Sequence, residues 1–208
     1  MVEAEVAAFE ILTLASSYFG EKALASQSVL TTLASVTFQI PFPISIAAST
    51  RIANLIGATL TEPAKVQARV LVCIEAIVGV LNVIVLTAAR NVIARLFTND
   101  AEVIRIVASV IPLLAAFQVF DAQSCSMNGM LRGLGKPSIG GWTQLICYYG
   151  VAMPISMGTA FGLSWGLHGL WLGVAIALFL VALTECIFIC RFDWQRSVED
   201  AQKRNESG

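Results

Sequence analysis

Four carboxylates stand inside otherwise apolar stretches, Glu10, Glu75, Asp121 and Glu185, and they are the side chains whose chemistry needs explaining. An ionisable group near the centre of a bilayer costs about 2.5–3.5 kcal/mol on insertion scales, so each requires a partner, a wet cavity or a proton. Asp121 has the richest polar company. Gln118, Ser124, Cys125 and Asn128 lie three, three, four and seven residues from it and share one helical face. Such a stripe reads as a cavity wall or, in the simpler alternative, as an interhelical hydrogen-bond cluster. Glu10 repeats the pattern on a smaller scale, with Thr13 and Ser17 three and seven residues on, unless it sits at the membrane surface on a shallow helix. Glu75 shares its face only with Gly79 and Asn82, and Glu185 precedes Arg191 by six residues, close enough to the interface for partial solvation. Both read as structural.

The elements that hold these groups belong in lipid. The 208 residues are 57% hydrophobic and 13% charged, against roughly 45–50% and 25% in ordinary globular chains. Mean hydropathy is +0.77. A net charge of -1 and the lack of a basic tract argue against nucleic-acid binding. A secretory signal is not expected either, because Glu3 and Glu5 occupy the place of its positive region.

A crossing helix needs roughly 20 mostly apolar residues. Six stretches are expected to cross, at 6–19, 23–56, 70–89, 106–131, 139–161 and 169–190. The first is short and reads as truncated. The second carries Pro41 and Pro43, which should kink it near its middle and border a cavity. Its stripe of Ser28, Thr32, Ser35 and Gln39 is polar without charge and serves either helix association or binding. Short connections favour antiparallel neighbours. The fold class is therefore all-α, a polytopic six-helix transmembrane bundle over residues 1–192. A polar tail, 193–208, follows, with too little apolar surface to order itself. Nine basic residues on one side, including Arg51, Lys65, Arg69 and Arg132, oppose Lys22, Arg90, Arg95 and Arg105 on the other, which places the C-terminal tail in the cytoplasm.

Other features read as packing. Gly129/Gly133, Gly158/Gly162 and Gly169/Gly173 have the spacing of close helix contacts. The five cysteines lie in apolar stretches and read as small buried residues. His168 has no second histidine to make a metal pair or a triad, so neither a metal site nor an enzyme is expected, and no cofactor.

Several motifs follow one another in a recognisable order: Ala-Phe-Glu at 8–10, Gln-Ser at 27–28, Pro41, Ala-Ser-Thr-Arg-Ile at 48–52, Asn54, Gly57-Ala58 and Leu-Arg-Gly-Leu-Gly-Lys-Pro at 131–137. Over residues 7–192 the chain resembles the C-terminal lobe, helices seven to twelve, of a eukaryotic, fungal-type multidrug and toxic compound extrusion (MATE) transporter. The resemblance implies one lobe of a two-lobe, twelve-helix exporter of organic cations and xenobiotics, working by proton-coupled (or sodium-coupled) antiport in the plasma or vacuolar membrane. It matches Glu10 to an acidic residue of helix seven and Asp121 to one of helix ten, as proton- and cation-coupling groups, with Thr13, Ser17, Gln39, Gln118 and Asn128 as cavity lining. Thr32 stands where many animal members have a glutamate, and Thr59-Leu60 interrupts a usual Gly-Ala-Gly ending.

The expected partners are membrane lipid, a small organic cation, protons or sodium, and an N-terminal lobe or full-length relative. The alternative function is a non-transporting fragment or partner subunit that pairs with another lobe. A flippase for anionic headgroups would want a basic cavity, whereas the intramembrane charges here are acidic.

Overall fold

The computed structural model describes residues 2–206; the side chains of 2–4, 200, 201 and 204–206 lie outside what it describes, so Glu3 and Arg204 do too. Eight helices and no strands occur among the described residues. They are α1 (Val2–Ser17), α2 (Glu21–Phe38), α3 (Pro41–Gly57), α4 (Thr61–Phe97), α5 (Ala101–Gly133), α6 (Pro137–Gly162), α7 (Gly166–Arg191) and α8 (Trp194–Glu206). Among the described residues five spans, α2 with α3, α4, α5, α6 and α7, are long and apolar enough to cross a membrane. The protein is an all-α polytopic membrane protein. Helix α1 has 16 residues, and its first turn recruits the polar residues before position 6.

One span runs well past its apolar window, and another is interrupted. Helix α4, expected over 70–89, has 37 residues, a length of about 55 Å at 1.5 Å per residue. That exceeds a hydrocarbon core of about 30 Å, so its charged ends, Glu62 to Arg69 and Arg90 to Arg95, reach beyond the core. The expected kink of the second span is a true stop. Helix α2 ends at Phe38, and Pro41, which has no amide hydrogen to leave unpaired, opens α3. The break stacks the Phe38 and Phe42 rings, 5.1 Å apart at 28°.

Helix α5 is the central element, packed against α2, α3, α4, α6 and α7. Its start is fixed by the Asp100 carboxylate, which accepts hydrogen bonds from the amides of Glu102 and Val103 at 2.8 and 3.4 Å. Two apolar clusters meet it. One gathers Leu12, Leu30, Phe117, Tyr148 and Trp171; the other gathers Ile52, Leu131, Leu134 and Trp194. In the first, Phe117 meets Phe9 and Trp171 edge to face, Phe9 lies tilted on Trp171, and the Trp171 indole donates to Gln27 at 2.9 Å. Between the clusters lies the polar stretch of α5.

Lipid tails are as apolar as leucine, so close packing rather than water exclusion holds such helices together. Gly129 and Gly133 supply it. A Cβ at Gly129 would lie 2.7 Å from Ser45 Oγ, and one at Gly133 would lie 2.9 Å from the Ile52 side chain. Gly169 and Gly173 likewise admit α6 against α7. Gly158 and Gly162 meet nothing within 4 Å and carry no such contact, because their face of α6 is exposed. Only Cys125 and Cys147 of the cysteines are buried; Cys73 and Cys190 are exposed on outer faces.

The tail departs from expectation. Residues Trp194–Glu206 form a helix, and Trp194 and Val198, one turn apart, bury themselves against the second apolar cluster. The Ser197 hydroxyl donates to the Leu134 carbonyl at 3.3 Å. Average composition missed this because two well-spaced apolar residues suffice to dock an amphipathic helix on an existing surface. Met1, Ser207 and Gly208 lie outside the described residues.

Candidate functional site

Two concavities open on one face of the bundle. The larger holds about 750 Å³ and is lined by Glu5, Glu10, Thr13, Gln39 and Asp121 among apolar and hydroxyl neighbours. The smaller, about 20 Å³, is lined by Glu5, Asp121, Ser124, Cys125, Asn128, Arg132 and Gln144 with Phe38 and Phe42. That volume accommodates about one water molecule. Glu5, Phe38, Phe42 and Asp121 line both.

Each wall has a local cause. The stripe on α5 follows from helical periodicity, and all of Gln118, Asp121, Ser124, Cys125 and Asn128 are buried. Asn128 donates to the Ser124 carbonyl at 2.9 Å, which fixes its amide toward the smaller cavity. Arg132, one turn further, donates to Ser45 Oγ at 2.8 Å, and Ser45 in turn donates to the Cys125 carbonyl at 2.7 Å. From α6, the Tyr148 phenol approaches Glu5. Tyr148 lies in a π-helical stretch, Ile146–Ala152, whose wider turn shifts the side chains that follow it; such insertions are frequent at functional sites.

The sequence-derived residues divide. Glu10, Thr13, Gln39 and Asp121 come together in the larger cavity, and Asn128 joins Asp121 in the smaller. Ser17 is exposed, donates to its own helix at the Leu14 carbonyl, and lines neither. Gln118 is fully buried and lines neither, with no partner for either amide atom. Glu10 is exposed on the cavity wall, whereas Glu5 is partly buried and reaches both cavities.

Glu5 is the residue that sequence reasoning misses, because near the end of the chain it reads only as a terminal charge. A signal existed: Glu5, Ala8, Leu12 and Ala15 recur at three, four and three residues, and the last three are buried. Glu185 also departs from expectation. It is fully buried on α7, with neither carboxylate oxygen partnered and Arg132 within electrostatic reach. The six residues to Arg191 do not bring it to solvent because its face of α7 packs on the rest of the bundle. The ion pairs among the described residues, Lys22–Glu102 and Lys65–Glu62, lie at helix ends and leave the acids of this face without a salt bridge.

Comparison with known proteins agrees with the architecture. The MatE family model matches residues 2–158. An uncharacterized transporter of Schizosaccharomyces pombe is 37% identical over 98% of this chain, which spans 38% of that relative's length. Multidrug and toxin extrusion protein 2 of Mus musculus is 36% identical over 94% of this chain and 34% of its own. Among solved structures, the eukaryotic MATE transporter AtDTX14 superposes with a TM-score of 0.91 at 30% identity, covering 95% of this chain and 44% of that one. These relatives are transporters rather than enzymes, and this chain spans between a third and a half of their length. With its sequence, helix order and close-packed core all in agreement, the chain belongs to the MatE family of membrane transporters.

Proposed function

We propose that this chain forms the cation-exchange lobe of a multidrug exporter, in which Glu5 and Asp121 bind either protons or an organic cation. The observation that carries the reading is the shared wall of the two cavities, two acids beside a stacked aromatic pair. A carboxylate removed from water favours either a proton or a cationic partner, so binding one displaces the other. Phe38 and Phe42 offer ring faces to a flat, delocalised cation, an attraction of about 0.5–2 kcal/mol. The larger cavity has the size of a drug-sized ligand site.

Alternation between the two sides of the membrane then requires an opposing wall, supplied by a second lobe that rocks against this one. The basic residues put the C-terminal helix α8 on the cytoplasmic side. Exposure of Glu10, Ser35 and Gln39 on the larger cavity favours a second reading, a subunit that completes its site by pairing with another lobe.

The test is proton release. The chain in lipid nanodiscs, in weak buffer without sodium, is mixed with ethidium while a pH dye reports. Protons released in proportion to ethidium bound, and lost in Asp121→Asn, support exchange. Ethidium binding with no release would overturn it. Sodium dependence would reassign the coupling ion, and co-purification with another lobe would favour the second reading.

A further inference from the structure

One acid is left out of that exchange. Glu75, on α4, is fully buried, and both its oxygens lack a partner. It sits on the seam where α4 packs on α5, in line with Gly79 and Asn82, which are also buried. At Gly79, one turn on, the helices approach so closely that a Cβ would lie 3.3 Å from Val119 Cα and 3.6 Å from Ala122 Cβ. Asn82, two turns along α4, and Gln118 on α5 also carry side-chain polar atoms without a partner. Buried polar groups are nearly always satisfied, so a carboxyl with both oxygens unpartnered calls for an occupant.

The occupant is small. Glu75 lines neither cavity, and a tight helix seam gives no room for a hydrated metal ion. A proton needs no volume, and it removes the charge whose burial in the seam would otherwise be uncompensated. The titratable groups that interact with Glu75 are Asp121 and Cys125, both on α5, and Glu5 reaches the same Asp121 from α1. Helices α2, α3 and α8, also packed on α4, bring no interacting charge to it among the described residues. Asp121 thus faces both cavities while Glu75 faces only the seam.

We propose that Glu75 is a second proton-binding carboxyl group of this lobe, coupled to Asp121 across the α4–α5 seam. Asp121 exchanges with the cavity, and Glu75 holds a proton in the dry interior. Charge on one disfavours charge on the other, so the pair takes up protons in sequence. The inference rests on the exchange role of Asp121 and adds a proton to the lobe's count.

The test reads protonation without transport. In the chain in lipid nanodiscs, pH-dependent infrared spectra follow the carbonyl stretch of protonated carboxyl groups, with isotope-labelled glutamate separating Glu from Asp. The Glu75 band, identified by its loss in Glu75→Gln, should disappear reversibly at high pH. Asp121→Asn should move its midpoint by about one pH unit or more, and Glu75→Gln should move the Asp121 midpoint comparably, because coupling is reciprocal. Should Glu75→Gln not fold, Glu75→Asp identifies the band by transferring it to the aspartate set. A Glu75 band unchanged at every pH at which the fold persists, or a midpoint indifferent to Asp121→Asn, overturns the proposal. If Asp121 exchanges its proton and Glu75 does not, only this inference falls; if Asp121 never exchanges, the exporter reading falls with it.

Discussion

Glu5 on α1 and Asp121 on α5 are brought onto the walls of the same two cavities, although α2, α3 and α4 separate them in sequence. Between them stand only the Phe38–Phe42 pair as further shared lining. The consequence is a ranking of the acids that the sequence alone orders differently.

Glu5→Gln and Asp121→Asn should each weaken ethidium binding about tenfold, equivalent to about 1.4 kcal/mol. Glu10→Gln should change it by only about twofold, since an exposed carboxylate contributes little through screened attraction. Fluorescence titration in nanodiscs measures all three. A larger loss at Glu10 than at Glu5 would return the exchange role to the acid that the family resemblance matched.

Two helix ends share one hydrogen-bond pattern with different residues at its critical position. After α5, the Gly135 amide donates to the Arg132 carbonyl at 3.0 Å and the Lys136 amide to that of Leu131 at 2.8 Å, with Gly135 at φ 72°. After α3, Thr59 and Leu60 donate to Ile56 and Leu55 at 3.0 and 2.9 Å, with Thr59 at φ 64°. A β-branched residue is strained there. Thr59→Gly should stabilise the protein by about 1 kcal/mol, and Gly135→Ala should destabilise it by about 1–2 kcal/mol. Unfolding in detergent checks both, and a destabilising Thr59→Gly would contradict the strain.

The glycine pairs separate contact from coincidence. Gly129→Ala should destabilise by about 1–3 kcal/mol, because its methyl would collide with Ser45. Gly158→Ala has open space and should stay within about 0.5 kcal/mol of the parent. Equal effects in the same unfolding assay would show that the α3–α5 approach is looser than described.

Asp100 gives a pH signature outside the membrane. Hydrogen bonds from the amides of Glu102 and Val103 hold its carboxyl below the usual carboxylate value. Its contribution is therefore complete above the unfolded value, about 3.9, and is lost as pH falls through the lower folded value. Asp100→Asn caps without titrating. The melting temperatures of the two proteins should differ by a constant amount near neutrality and converge only in acid. A difference that changes around neutral pH would assign the effect to another group.

The membrane spans were legible because a run of apolar residues reports its solvent directly, and the stripe from Gln118 to Asn128 because helical periodicity is local. Less legible were the ends. Helix α4 outruns its apolar window, and the order of Trp194–Glu206 is not readable from its composition, since docking depends on a surface built by α3 and α4 and by Leu134 beyond α5. The glycine pairs all looked alike in sequence, and only their neighbours distinguished them.

By itself the sequence determined that this chain lives in lipid, folds into crossing helices and carries a polar face on α5. The tertiary structure decided which acid on α1 joins Asp121. A helix can turn about its own axis without altering a single backbone hydrogen bond, so its rotation is set by packing. On α1, Ala8, Leu12 and Ala15 are pressed into the core, and that rotation brings Glu5 to both cavities and leaves Glu10 exposed on one.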